Sequence, residues 1–229
     1  MLAVAFVLTR LALKPLYEKI KTLNNFIKDA THEINTPLSI VLISTETMDK
    51  SSLNKRNLNR VNNINLAAKS LHNVYEDLLY LNFKPSMRKS VTIDFKTLLN
   101  ERIEYFGIFF EKRALRVSKN LQNATIYANE SELIRIIDNL LTNAVKYTNK
   151  GGNIDIRLTS NSLYIANSGE GMSKEQIAKI FDRYTRFNTD QGGFGIGLSV
   201  VKECCKNNDI NIQCQSSPNS DTTFMLSWK

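Results

Sequence analysis

Residues Asn153–Met172 read NIDIRLTSNSLYIANSGEGM, and their interpretation decides the architecture of the chain. Ile154, Ile156 and Leu158 alternate with Asp155 and Arg157, and Leu163 alternates with Ile165 in the same way. Asn153–Thr159 and Ser162–Ala166 are therefore adjacent strands across a turn. Gly169-Glu170-Gly171 directly follows the second strand, while Gly192-Gly193-Phe194-Gly195-Ile196-Gly197-Leu198 directly precedes a helical pattern far downstream. A dinucleotide-binding fold needs strand, GxGxxG and helix in one continuous unit. This chain divides its glycines between separate elements. By itself either cluster is more readily read as a turn.

Outward from this stretch, Ser90–Phe95, Leu115–Leu121, Thr125–Ala128, Ile210–Gln215 and Thr222–Trp228 have strand patterns. Lys96–Arg113, Glu130–Tyr147, Ser173–Phe181 and Gly195–Lys206 have helical periods. Interleaved strands and helices without a regular βαβ repeat indicate an α/β sandwich, with helices on one face of a mixed sheet.

The preceding half is different. From Leu23 to Met48, Phe26, Ile27, Ala30, Ile34, Leu38, Val41, Leu42 and Thr45 recur at helical spacing, with a kink expected at Pro37. After the polar break Asp49-Lys50-Ser51-Ser52 a second stripe runs through Leu58, Val61, Ile64, Ala68, Leu71, Val74 or Tyr75, Leu78 and Leu81. Two such helices form an antiparallel hairpin, and dimerisation into a four-helix bundle would cover its wide apolar stripe. The stripe stops at Phe83–Lys89. The expected organisation is α+β: residues 1–22 leading in, a hairpin over 23–83, a linker over 84–89 and an α/β domain over 90–229.

Composition narrows the function. The chain has 229 residues, 42% of them hydrophobic, enough for sizeable cores. Nine glycines and four prolines disfavour collagen-like or turn-dense all-β architectures. Three cysteines, Cys204, Cys205 and Cys214, form neither a disulfide framework nor a CxxC zinc pair. The net charge of +8 is spread along the chain without a nucleic-acid motif, so no nucleic-acid partner is expected and phosphate or a membrane surface is favoured. At the start, MLAVAFVL (Met1–Leu8) is followed, not preceded, by Arg10, Lys14, Lys19 and Lys21. That order suits the cytoplasmic end of a membrane helix lying mostly upstream of Met1. A short amphipathic core helix is the alternative.

Asn139, Asn143 and Lys146 share one helix face at i, i+4 and i+7. Two amides and an ammonium suit a Mg²⁺–triphosphate site, since Mg²⁺ takes neutral oxygens alongside phosphate and water. A solvated helix face explains them as well. His32 has Glu33 beside it and Thr36 one turn on, and a carboxylate that takes the imidazole proton makes the other ring nitrogen nucleophilic. His72 lacks such company and is expected to be exposed.

His32–Leu38 (HEINTPL) resembles the phospho-acceptor box of bacterial sensor histidine kinases. Asn139–Tyr147 is similar to their N box, Asn167–Met172 (NSGEGM) to the first glycine box, Phe181–Phe187 (FDRYTRF) to the F box and Gly193–Leu198 (GFGIGL) to the second glycine box. The five motifs stand in the family's order. The resemblance implies ATP-dependent phosphorylation of His32, with Glu33 receiving the Nδ1 proton, then transfer to an aspartate on a response-regulator receiver domain. It implies that Thr36 orients water for removing phosphate from the regulator, and that Asn143 ligates Mg²⁺ with Asn139 beside it. Lys146 and Tyr147 would face the phosphates and nucleotide, Asp182–Phe194 would form a lid, and Gly193, Gly195 and Gly197 would lie at the phosphates. Asn167, Gly169, Gly171, Phe181, Arg186 and Leu198 complete the implied ATP site. A homodimer at the inner membrane, with this chain on the cytoplasmic side, is implied too. Asn167 stands where the family usually has aspartate reading the adenine amine, a loss of charge assistance expected to cost about 1 kcal/mol, or fivefold to tenfold in affinity. It is also the one residue favouring the alternative, a non-catalytic dimeric docking module with a degenerate nucleotide site.

Overall fold

A computed structural model describes residues 34, 35, 37–82, 89–187 and 195–229, and the chain divides into two compact units, Met1–Lys84 and Pro85–Lys229. In the first unit, residues 34, 35 and 37–47 belong to a helix, α1, and Lys55–Asn82 form α2. The turn between them is locally specified. Asp49 Oδ1 accepts from the Ser51 amide and hydroxyl at 2.9 and 2.6 Å, and Asn54 Oδ1 caps α2 by accepting from Asn57 N at 2.9 Å. Glu46 on α1 pairs with Lys69 on α2 at 2.9 Å.

Burial follows a heptad. Leu38 and Thr45 on α1, and Val61, Ala68 and Tyr75 on α2, are inside. The positions offset from them, Ile34 and Val41 on α1, Met48 just after it, and Ile64 and Leu71 on α2, are exposed in the single chain, the last two at 50% and 47%. The expected stripes are thus each split into a line facing the hairpin partner and a line facing out. His72 corrects the expectation of an exposed histidine: its Nδ1 is buried with no hydrogen-bond partner, and the ring stacks on Tyr75 with centroids 6.1 Å apart. The ring is half-buried through its contact with Tyr75, less than one turn further along α2.

The second unit runs β1 (Val91–Asp94), α3 (Phe95–Lys112), β2 (Arg116–Leu121), β3 (Thr125–Ala128), α4 (Glu130–Tyr147), β4 (Asn153–Leu158), β5 (Ser162–Asn167), α5 (Lys174–Lys179), α6 (Gly197–Asn207), β6 (Asn211–Gln215) and β7 (Thr222–Ser227). β1 and β3 pair antiparallel as a small sheet. The main sheet has the order β2-β4-β5-β7-β6, with β2 and β4 parallel and the other neighbours antiparallel, so it is mixed. Ile154, Ile156, Leu158, Leu163, Ile165, Phe224 and Leu226 point to a core shared with Leu133, Ile136, Ile137, Leu140 and Leu141 of α4 and Val200 and Val201 of α6. Truncating one such residue to alanine costs about 2–5 kcal/mol. The opposite sheet face is polar, as where Ser118 Oγ donates to Asp155 at 2.6 Å and Arg116 Nε to Asn153 at 2.9 Å.

Where element ends depart from expectation, a specific contact is responsible. β1 stops at Asp94 because that carboxylate caps α3, accepting from Thr97 N and Oγ1 at 3.2 and 2.7 Å. α5 begins after Ser173, whose capping box with Gln176 is complete, and turns off before Tyr184, where φ is +63°. α6 begins two residues later than expected because Gly195 has φ +69°, which no right-handed helix accommodates.

Candidate active site

α4 is the spine of the site. Asn129 caps it by accepting from Glu132 N at 3.0 Å, and the Asn129 amide nitrogen donates to Lys89 O at 3.1 Å. Two arginines of the α3 region hold it from behind. Arg102 makes a bidentate pair with Asp138 (Nε 2.8 Å, Nη2 2.6 Å) and lies 4.4 Å over the Tyr105 ring. Burial raises the Asp138 carboxyl above the ordinary range, while its Arg102 bond and charge oppose that shift. Arg113 Nη1 donates to Val145 O and Lys146 O at 2.8 and 3.0 Å, satisfying carbonyls at the C-terminal end of the helix.

Against this spine the structure gathers residues far apart in sequence. Asn139 Nδ2 donates to Arg135 O at 3.0 Å, and its Oδ1 lies where a Cβ at Gly197 would overlap it. Gly197 is thus the residue that lets α6 approach α4 at Asn139. Gly169 plays the same part at the other end, since its Cβ would fall 2.7 Å from Tyr147 O. One turn along α4 from Asn139 and from Tyr147, Asn143 Nδ2 is buried and has no partner among the described residues. A buried amide donor left without an acceptor costs about 1–3 kcal/mol, a penalty relieved by an anionic ligand. The Lys146 ammonium lies 4.9 Å over the Tyr147 ring. Among the described residues no side chain caps α6 at Ile196, so its leading amides point onward, the arrangement that attracts phosphate.

Asn167 ends β5, buried beside these groups, and its Nδ2 donates to Ser168 O at 3.3 Å. Gly171 has φ +67° and packs so closely on Ser217 O that no side chain fits; Asn219 N donates to Glu170 O at 2.6 Å. Gly195 accepts from Tyr184 N at 2.9 Å, and its own Cβ would meet Thr185 O at 2.7 Å, so it joins the Phe181–Phe187 segment. Phe181 is half-buried with Lys202 Nζ 5.9 Å from its ring, Arg186 is exposed and Leu198 is half-buried in the first turn of α6. His32, Glu33, Thr36 and Gly193 lie outside the described residues, as does the segment 1–22.

Two site neighbours have no sequence motif. Thr222 pairs with Asn167 across β5 and β7, and its hydroxyl lies 2.9 Å from Ser216 Oγ, which also accepts from Met172 N at 3.0 Å. Only strand register brings them there; a buried threonine opening a strand was the one available signal. Among the described residues there is no group of three or more His, Cys, Asp or Glu side chains fit to hold a metal. A cation here would rest on neutral amides and on its ligand's phosphates.

Residues 128–229 match the family model described as "Histidine kinase-, DNA gyrase B-, and HSP90-like ATPase", and residues 22–84 match the "His Kinase A (phospho-acceptor) domain". The chain belongs to the sensor histidine kinase family. This kinase chain is 32% identical over 215 residues to the sensor protein CiaH of Streptococcus pneumoniae, covering 86% of this chain and 47% of that one. It is 28% identical over 213 residues to the sensor histidine kinase RppB of Synechocystis, covering 85% and 46% respectively. It thus spans about half the length of the curated relatives it matches. In fold, it is similar to full-length ShkA, crystallised in complex with AMPPNP, with a TM-score of 0.64 at 20% identity, covering 88% of this chain and 45% of ShkA. The mycobacterial sensor histidine kinase MprB matches with a TM-score of 0.54 at 19% identity, covering 60% of this chain and 95% of that one. Among the described residues, no helix of this kinase chain is long and apolar enough to cross a membrane.

Proposed function

We propose that the chain is the catalytic portion of a sensor kinase that uses ATP to phosphorylate His32 and passes the phosphoryl group to an aspartate on a response-regulator receiver domain. In the first step the Nε2 lone pair of His32 forms the N–P bond, the bond from the γ-phosphorus to the bridging oxygen breaks, and ADP leaves. Glu33 takes the Nδ1 proton. In the second step the receiver carboxylate forms an acyl phosphate and the imidazole leaves. Thr36 orients a water for hydrolysing that acyl phosphate, giving regulator phosphatase activity.

The observation that carries the reading is Asn143. Its amide nitrogen is buried without a partner among the described residues, on α4 between Asn139 and Tyr147, and Gly197 and Gly169 leave room at Asn139 Oδ1 and Tyr147 O. An amide held this way fits a Mg²⁺–triphosphate, with nitrogen to a phosphate oxygen and oxygen to the cation. Asn139 stands one turn away and Lys146 supplies a countercharge. When bound, Mg²⁺ neutralises phosphate charge and orients the transferring group. Lys146, Tyr147, Phe181, Arg186, Gly193, Gly195, Gly197 and Leu198 line the nucleotide, and Asn167, with Gly169 and Gly171 behind it, reads the base.

The exposed lines Ile34, Val41, Met48 and Ile64, Leu71 support a homodimeric four-helix bundle. Ile40 and Ile43, exposed on a different side of α1, support a receiver-docking face. Attachment to the inner membrane, with this chain on the cytoplasmic side, fits the bases Arg10, Lys14, Lys19 and Lys21 that follow the apolar run Met1–Leu8. The test is incorporation from γ-labelled ATP with Mg²⁺. An acid-labile, base-stable label that disappears in both His32→Ala and Asn143→Ala is expected; label that persists in either variant would overturn the assignment.

A further inference from the structure

We propose that the nucleotide site accepts a 6-oxopurine base as well as adenine, because the group that reads the purine edge is an amide free to turn over. This rests on the reading of Asn167 as the base-facing residue. A carboxylate in that place only accepts hydrogen bonds, so it favours a 6-amino group and repels a 6-oxygen. An asparagine carries an acceptor and a donor on one stem, and rotation of the amide exchanges them.

What would prevent the exchange is a second set of bonds holding the amide, and Asn167 lacks one. It is 5% exposed, and among the described residues its side chain's one hydrogen bond is the 3.3 Å contact from Nδ2 to the carbonyl of the next residue. That bond is at the long end of the range. Asn208 shows what a locked amide looks like in this fold: Oδ1 accepts from Asn129 N at 2.7 Å, while Nδ2 donates to Glu132 at 2.5 Å and to Cys204 O at 2.8 Å. Turning Asn208 would break three good bonds, whereas turning Asn167 breaks one weak one.

The neighbouring hydroxyl is equally adaptable. Thr222 Oγ1 and Ser216 Oγ are 2.9 Å apart and either can donate to the other. When Thr222 donates to Ser216, its lone pairs face outward to accept. When Ser216 donates to Thr222, the Thr222 proton is released to donate. Ser216 is satisfied in both states, since it accepts from Met172 N at 3.0 Å and has Asp221 O as an alternative acceptor at 3.4 Å. The two states match the N1–H of a 6-oxopurine and the bare N1 of adenine. Amide and hydroxyl together therefore satisfy both purine edges without moving the backbone.

The experiment displaces bound TNP-ATP from the full chain with ADP and with IDP in the presence of Mg²⁺, for the unaltered protein and Asn167→Asp. IDP is the probe because it differs from ADP only at the purine 6 and 1 positions. The expected result is IDP binding within about tenfold of ADP in the unaltered chain. In Asn167→Asp, ADP binds more tightly and IDP more weakly, widening the ratio at least about thirtyfold. ADP bound but IDP weaker by more than about 100-fold in the unaltered chain overturns the proposal while leaving the nucleotide site intact. A ratio unchanged by Asn167→Asp overturns it too. If neither nucleotide displaces TNP-ATP, the nucleotide-site reading itself falls and takes the proposal with it.

Discussion

Gly197→Ala separates stability from nucleotide binding. A methyl group at position 197 would come closer than 3.0 Å to Asn139 Oδ1 and to 3.4 Å from its Cγ, with no other atom within 4 Å among the described residues outside its own helix. The obstacle is the end of a side chain, so Asn139 swings aside and gives up its 3.0 Å bond to Arg135 O. That bond is worth about 1 kcal/mol, and alanine in place of glycine in a helix returns up to about 1 kcal/mol. The melting temperature therefore moves by no more than about 4 °C. Nucleotide binding loses more. An Asn139 turned out of the site forfeits a charge-assisted contact of about 1.5–3 kcal/mol, roughly 10- to 150-fold in Kd. Scanning fluorimetry measures the first quantity and TNP-ATP titration with Mg²⁺ the second. Asn139→Ala should weaken binding similarly, and the double variant no further, because one contact is being removed by two routes. An unchanged Kd, or a melting temperature lowered by more than about 8 °C, would refute the argument.

Two further outcomes follow from pairs already described. Arg102→Met leaves Asp138 buried without its guanidinium, so a carboxyl that burial already raises climbs further. The native state then holds a proton over a pH range in which the unfolded chain has lost it, so stability falls as pH rises through that range. Denaturant melts should show a deficit of about 3 kcal/mol near neutral pH that shrinks toward about pH 4; a deficit independent of pH would contradict this. Leu71→Glu, at a position 47% exposed in the single chain, should keep its helix yet sediment as a monomer, whereas Ile43→Glu on the outer side of α1 should remain dimeric. Equal behaviour of the two would remove the seam as the dimer contact.

What could be read from sequence was local. α4 begins and ends where its periodicity does, at Glu130 and Tyr147, because Asn129 is a strong cap and the amphipathic pattern is unbroken between them. The glycine clusters and the Asn139–Asn143–Lys146 face were legible for the same reason: turn chemistry and helix period are written in neighbouring residues. What escaped depended on long-range closure. The Arg102–Asp138 pair spans 36 residues, the Ser216–Met172 bond 44, and the covering of His72 Nδ1 depends on the hairpin around it. None leaves a trace in local pattern. Element ends shifted where one residue took a conformation that pattern alone does not disclose, as at Gly195.

The apolar lines left outside in the hairpin, Ile34 and Val41 on α1 and Ile64 and Leu71 on α2, have a consequence for how the two units survive dilution. The α/β unit has its core within one chain, so its stability is a fixed property of the fold. In the proposed four-helix bundle the hairpin would complete its core only by borrowing from a second copy, and mass action would tie its stability to the number of copies present. As expression fell, the helices of such a bundle would loosen while the α/β unit stayed intact. A cell making too little of this protein would then hold folded ATP-binding domains without an assembled acceptor, and signalling would fade with a threshold rather than in proportion to dose.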